Sequence, residues 1–135
     1  MNAKIINTLK KLNKKAIKNG DVPVSCVVLK DNKIISRAYN QRVYKKNPLY
    51  HAEILAIIKA AKKLGTWNLS DCELYCTLLP CKMCKEAINN AHIKKIYYIL
   101  DNNKEINSKL EINKINVNSY EYFEKELKTF FVDKR

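Results

Sequence analysis

The chain has 135 residues, 47% of them hydrophobic and 29% charged, which is enough for one domain with a real core. Its 26 basic residues outnumber 13 acidic ones, a formal net charge of +13 that favours a polyanionic partner such as nucleic acid. No apolar run is long enough for a membrane span, and no signal-peptide core opens the chain. Five cysteines, two in a metal-type pair, point to a reducing, cytoplasmic setting rather than a disulfide framework.

In chain order, residues 1–20 are predicted to form an amphipathic helix, with Ile5, Ile6, Leu9, Leu12, Ala16 and Ile17 on one side. Residues 22–29 are a continuous apolar strand. Asp31-Asn32 is a turn signal, and residues 33–39 read as the hairpin partner. Residues 40–50 form a polar, aromatic loop. A second helix follows to the C-cap Gly65, with Ile54, Leu55, Ile57, Ile58 and Ala61 as its apolar stripe.

Residues 73–77 are a short strand, 81–91 a third helix and 95–100 a strand. Residues 101–118 are rich in Asn and Lys, and Ile106, Leu110, Ile112, Ile115 and Val117 suggest one weak extra strand. Residues 119–132 form the last helix, with Ser119 as N-cap and Tyr122, Phe123, Leu127, Phe130 and Phe131 as apolar anchors. The order predicts a single domain over residues 1–135. Its class is α/β, three layers (α-β-α) with a mixed central sheet and helices on both faces. Two glycines leave no glycine-rich phosphate loop.

Two motifs carry the chemistry: His51-Ala52-Glu53 and Pro80-Cys81-Lys82-Met83-Cys84. Zinc prefers tetrahedral nitrogen and sulfur ligands, and a catalytic zinc keeps one position for water. His51, Cys81 and Cys84 supply three ligands. Cys81 and Cys84 share one helix face and follow a proline suited to a helix start, where free N–H groups lower thiol pKa values. Glu53 is two residues from His51 and diverges from it on a helix, so it is placed to face the water rather than to bind the ion. A carboxylate there can move a proton from water to a leaving amine.

A structural zinc knuckle or a redox pair is the plainer reading of C-x-x-C alone. A closed structural site would need a fourth Cys or His. Cys26, Cys72 and Cys76 read instead as buried thiols and His92 as a surface or helix-end histidine.

These motifs, in this order, resemble the cytidine-deaminase-like superfamily of zinc-dependent deaminases, and within it the bacterial tRNA-specific adenosine deaminases. The likeness also rests on Asp21-Val22-Pro23-Val24, on Asn40, and on the terminal Phe130-Phe131-Val132-Asp133-Lys134-Arg135. It implies hydrolytic deamination of adenosine to inosine at the wobble position of a tRNA anticodon, with one zinc per subunit. It also implies Glu53 as proton carrier, Asn40 as a substrate-binding residue holding the base, and Phe130, Phe131, Lys134 and Arg135 as RNA contacts. The partners it implies are tRNA and a second copy in a homodimer, with no membrane.

The alternatives are a free-base or nucleoside deaminase acting on guanine or cytosine, and a non-enzymatic zinc-stabilised RNA-binding module. The sequence departs from the tRNA enzymes at Leu79, where they carry Glu, at Ser25-Cys26, where Gly-Ala is usual, and at Leu100, where Arg is usual. It also lacks their longer glycine-bearing loop after Asp101.

Overall fold

The computed structural model describes residues 1–102 and 110–133. Helix α1 (Ala3–Lys18) begins where Asn2 Oδ1 accepts the Ile5 N–H at 2.9 Å, satisfying one of the free donors of the first turn. Its apolar side, Ile5, Ile6, Leu9, Leu12 and Ala16, is buried as predicted, whereas Ile17 is exposed.

The sheet has five strands: β1 (Ser25–Lys30), β2 (Lys33–Tyr39), β3 (Cys72–Leu78), β4 (Lys95–Leu100) and β5 (Glu111–Lys114), in the order β2-β1-β3-β4-β5. β1 runs antiparallel to both β2 and β3, while β3, β4 and β5 are parallel. The predicted mixed sheet is therefore present. Side chains alternate across it as strand geometry requires. Cys26 and Val28 join the cluster that packs against α2 (Ala52–Leu64) and α3 (Lys82–Asn90). Val27 and Leu29 join the cluster beneath α1 and α4 (Tyr120–Asp133), whose anchor is the fully buried Phe123.

Three sequence expectations are corrected. β1 starts at Ser25, not residue 22. Pro23 has no N–H to give a ladder, and Val24 N–H turns back to Val22 C=O at 2.8 Å. The second helix does not bury its large residues. Ala52, Ala56 and Ala60 face the sheet, Ile54, Leu55 and Ile57 are half-buried, and Ile58 is 52% exposed. Close approach explains this, because the Ser36 hydroxyl of β2 donates to Ala56 C=O at 2.9 Å, leaving room only for methyl groups. The extra strand is shorter than the apolar run suggested: β5 covers four residues, and Ile106 lies outside the described residues.

The ends of β2, β3 and β4 gather on one side of the molecule. Ser25 pairs with Tyr39, its N–H donates to Thr77 Oγ1 at 3.1 Å, and Leu79 N–H donates to Leu100 C=O at 2.9 Å. Both α2 and α3 start there, which directs their N-termini at the same point.

Candidate active site

His51 and Cys81 are the N-cap residues of α2 and α3. Both have extended backbone (φ −69°, ψ 154° and φ −71°, ψ 172°), and neither side chain caps its own helix. A polar side chain at an N-cap that leaves the cap unmade is free for another partner. Here the two face each other, with His51 Nδ1 3.9 Å from Cys81 Sγ. Cys84 lies one turn into α3, and the ligand atoms of His51, Cys81 and Cys84 all lie within 4.8 Å of one another. One nitrogen and two sulfurs at this separation suit a tetrahedral divalent ion, whose bonds are about 2.0 Å to nitrogen and 2.3 Å to sulfur. The three predicted ligands are thus brought together, each at the positive end of a helix.

The thiols are electrostatically unequal. The Cys81 thiol is lowered to about 3, first by the hydrogen bond from Cys84 and then by His51. Cys84 is raised, because the neighbouring Cys81 sulfur holds its proton and burial adds to the effect. His51 is raised by its hydrogen bond to Cys81. The cluster therefore favours the thiolate at Cys81, while the proton is held more tightly on Cys84 and His51. A metal ion entering this site displaces the remaining protons.

Glu53, in the first turn of α2, is 3% exposed. Its carboxyl is raised chiefly by burial, an effect opposed by its own backbone N–H and by Cys84. Its Oε1 is buried with no hydrogen-bond partner among the described residues. A buried orphan oxygen is costly unless a ligand meets it. The group of ligand atoms that lie within 4.8 Å of one another comprises His51, Cys81 and Cys84 and does not include Glu53. The residues present therefore fit a catalytic metal with a polar molecule beside it.

Asn40 is 5% exposed and sits next to the same helix start. Its Oδ1 accepts the Ala52 N–H at 2.8 Å, so the side chain braces α2 where His51 itself does not. The sequence pointed to Asn40 only as a base contact, and the bracing was not foreseen. Asp21 entered the sequence reading only within the Asp21-Val22-Pro23-Val24 likeness, and its contacts were not foreseen: it is wholly buried, and its carboxylate accepts from Arg42 Nη2 at 3.2 Å and Val43 N–H at 3.0 Å. It pins the 41–50 loop that delivers His51. A further sequence signal is the position of this acid directly after Gly20, which has φ 79°.

The departures find structural places. Ser25 Oγ donates to Leu9 C=O of α1 at 3.1 Å, so this serine ties helix to sheet. Leu79 is packed in the core at the end of β3. Cys26, Cys72 and Cys76 are buried thiols, as expected, and His92 is a surface residue whose ring lies tilted against Trp67, with centroids 5.2 Å apart. Of the tail, Phe130 is half-buried and Phe131 exposed, while Lys134 and Arg135 lie outside the described residues.

A five-stranded mixed sheet with a His/Cys/Cys cluster and a buried glutamate at two adjoining helix starts defines a deaminase of the cytidine-deaminase-like fold. The chain belongs to the MafB19-like deaminase family, whose model matches residues 2–135. Among curated relatives it is 44% identical over 85 residues to the tRNA-specific adenosine deaminase of Rickettsia bellii (strain RML369-C), covering 62% of this chain and 59% of that one. It is likewise 44% identical over 85 residues to the enzyme of that name from Aquifex aeolicus (strain VF5), covering 63% and 56%. The chain thus spans little more than half the length of these relatives.

Among solved structures, a chain from work on A-to-I editing by tRNA:A34 deaminases matches with TM-score 0.75 and 25% identity, over 82% of this chain and 96% of that one. Guanine deaminase from Bacillus subtilis matches with TM-score 0.65 and 25% identity, over 96% and 95%. Among the described residues, no helix is long and apolar enough to cross a membrane.

Proposed function

We propose that this protein deaminates adenosine to inosine at the wobble position of a tRNA anticodon, with one zinc ion per subunit. The observation that carries the chemistry is the buried Glu53 Oε1, without a hydrogen-bond partner among the described residues, in the same helix start as a cluster of one nitrogen and two sulfur ligand atoms. The tRNA substrate is supported by the named activity of the relatives and by the charge of +13. His51, Cys81 and Cys84 would hold the zinc, which when bound lowers the pKa of water toward neutrality.

The chain's own residues do the rest. Glu53 takes the water proton on Oε1 and returns it to the amine departing from C6, so water and adenosine give inosine and ammonia. Burial raises the proton affinity of that carboxyl, which suits a group that must both accept and release. Asn40, its Oδ1 already used on Ala52, has its amide nitrogen left to donate to the base edge. An anticodon nucleotide is already partly unstacked, so little energy is spent extruding it. The exposed Phe131 and the basic end of the chain are RNA contacts in this reading, the enzyme is cytoplasmic, and the active form is a homodimer.

A second reading, deamination of free guanine, draws on the full-length structural match to the Bacillus subtilis enzyme. One assay separates the two. Zinc-loaded protein is incubated with an anticodon stem-loop beginning in A, and in parallel with free guanine, followed by nucleoside analysis. Inosine confined to the wobble position is the expected product. Xanthine from guanine with intact RNA would replace the proposal with the second reading.

A further inference from the structure

The exposed side of α1 is dominated by lysine and carries no acidic residue. The helix carries Lys4, Lys10, Lys11, Lys14, Lys15 and Lys18 and no acidic residue. Lys10 lies over the Tyr122 ring at 4.6 Å, and Lys10 and Lys14 both act on the nearby Glu126. Lys11, Lys15 and Lys18 form one outer stripe at helical spacing, and among the described residues none of them makes an ion pair. Like charges three and four apart weaken a helix. Two lysines in the last turn do gain from the helix dipole, but Lys11 lies outside that turn.

The stripe leads to the active-site end. Asp21 N–H donates to Ala16 C=O of the last turn, and the Asp21 carboxylate holds Arg42 and Val43. One buried residue therefore joins the lysine end of α1 to the loop that delivers His51. At the crest of that loop Tyr44 is 61% exposed, with Lys45 Nζ 5.3 Å from its ring centroid.

We propose that the outer lysines of α1, together with Tyr44 and Lys45, form an RNA-binding track that runs from the active-site rim along the helix, with lysines on phosphates and the Tyr44 ring stacking on a base. The partner chemistry follows from what is left exposed. The apolar side of α1 is spent on the sheet except for Ile17, and one exposed isoleucine is too little to enter a lipid surface, whereas phosphates need only the charge. An exposed aromatic beside a cation is the element that stacks on unpaired bases. The track deepens the tRNA reading, on which its link to catalysis rests.

The test compares the intact protein with Lys11→Gln/Lys15→Gln/Lys18→Gln and with Tyr44→Ala. Binding of a labelled whole tRNA is followed by fluorescence anisotropy across a salt series, and kcat and KM are followed on the same RNA. The triple variant is expected to weaken binding at least tenfold and to flatten the salt dependence, with a slope in log K against log salt lower by about two. KM should rise while kcat and zinc content stay within twofold. Tyr44→Ala should weaken binding about tenfold with an unchanged salt slope.

Unchanged affinity and slope in the triple variant would overturn the track. So would a wild-type protein that ignores tRNA and instead binds phosphatidylserine vesicles through these lysines. Lysine-dependent tRNA binding without inosine formation would leave the track standing and remove the tRNA deaminase reading.

Discussion

Glu53 is the residue on which the chemistry turns. Its Oε1 has no hydrogen-bond partner among the described residues, and the three candidate ligands meet without it. Glu53→Ala is expected to lower kcat by about 10²–10⁴-fold, with zinc content by atomic absorption unchanged. Loss of zinc in that variant would make Glu53 a ligand. Asn40 gives a two-part effect. Asn40→Ala deletes both the bond to Ala52 N–H and the amide offered to a base. It should cost about 1 kcal/mol in thermal stability, as lost helix-start bonds do, and impair turnover as well, with zinc retained. A fall in stability with normal kcat/KM would leave Asn40 only its bracing role. The four central residues were legible in the sequence because ligand spacing and helix-start chemistry are both local. The pinning by Asp21 and the bracing by Asn40 were not, since each depends on a contact across a loop.

At the scale of elements, apolar patterning located all four helices but misjudged which face of α2 is buried. Hydrophobicity singles out the isoleucines. Closeness of backbone to sheet selects Ala52, Ala56 and Ala60, and that distance is set by β2, not by the helix. The docking of α4 on α1 is a further case. Asn13 is buried and donates from Nδ2 to Glu126 Oε1 at 2.8 Å, while Asn13 Oδ1 has no partner among the described residues. The Glu126 carboxyl is raised, burial being the largest cause. The folded state therefore binds this proton more tightly than the unfolded chain. The stability it contributes is full below the unfolded value of about 4.3 and is lost as pH rises through the higher folded value. Glu126→Gln removes that ionisation and supplies an amide donor for Asn13 Oδ1. The variant should melt above the parent by an amount on the order of 1 kcal/mol for this half-buried pair. The gap should widen from acid to neutral pH in paired calorimetric scans. A gap that narrows on the way to neutrality would show that Glu126 is stabilised as the carboxylate.

At the scale of the molecule, the misjudged face of α2 becomes informative. Ile54 and Ile58 stand one turn apart on its outer side, and Ile58 is half exposed although larger than every residue the helix buries. The helix carries His51 at its start, so a partner covering this face would lie near the His51, Cys81 and Cys84 cluster. A second copy of the chain covering it through an isologous contact would bury both isoleucines at once and bring two active sites close together. That is the homodimer proposed above, given a location. Sedimentation of the zinc-loaded protein at micromolar concentration should give the mass of two 15.7 kDa chains. Ile58→Glu should give one chain, because a buried unpaired carboxylate on each side of the contact opposes association. The variant should keep its zinc and its fold, since Ile58 does not touch the sheet side of α2. Its turnover of tRNA should fall further than its turnover of a short stem-loop, if the partner shapes the RNA surface. A wild-type protein that sediments as a single chain would remove the dimer and leave the exposed isoleucine as an isolated surface residue. A dimer that survives Ile58→Glu would move the interface off α2.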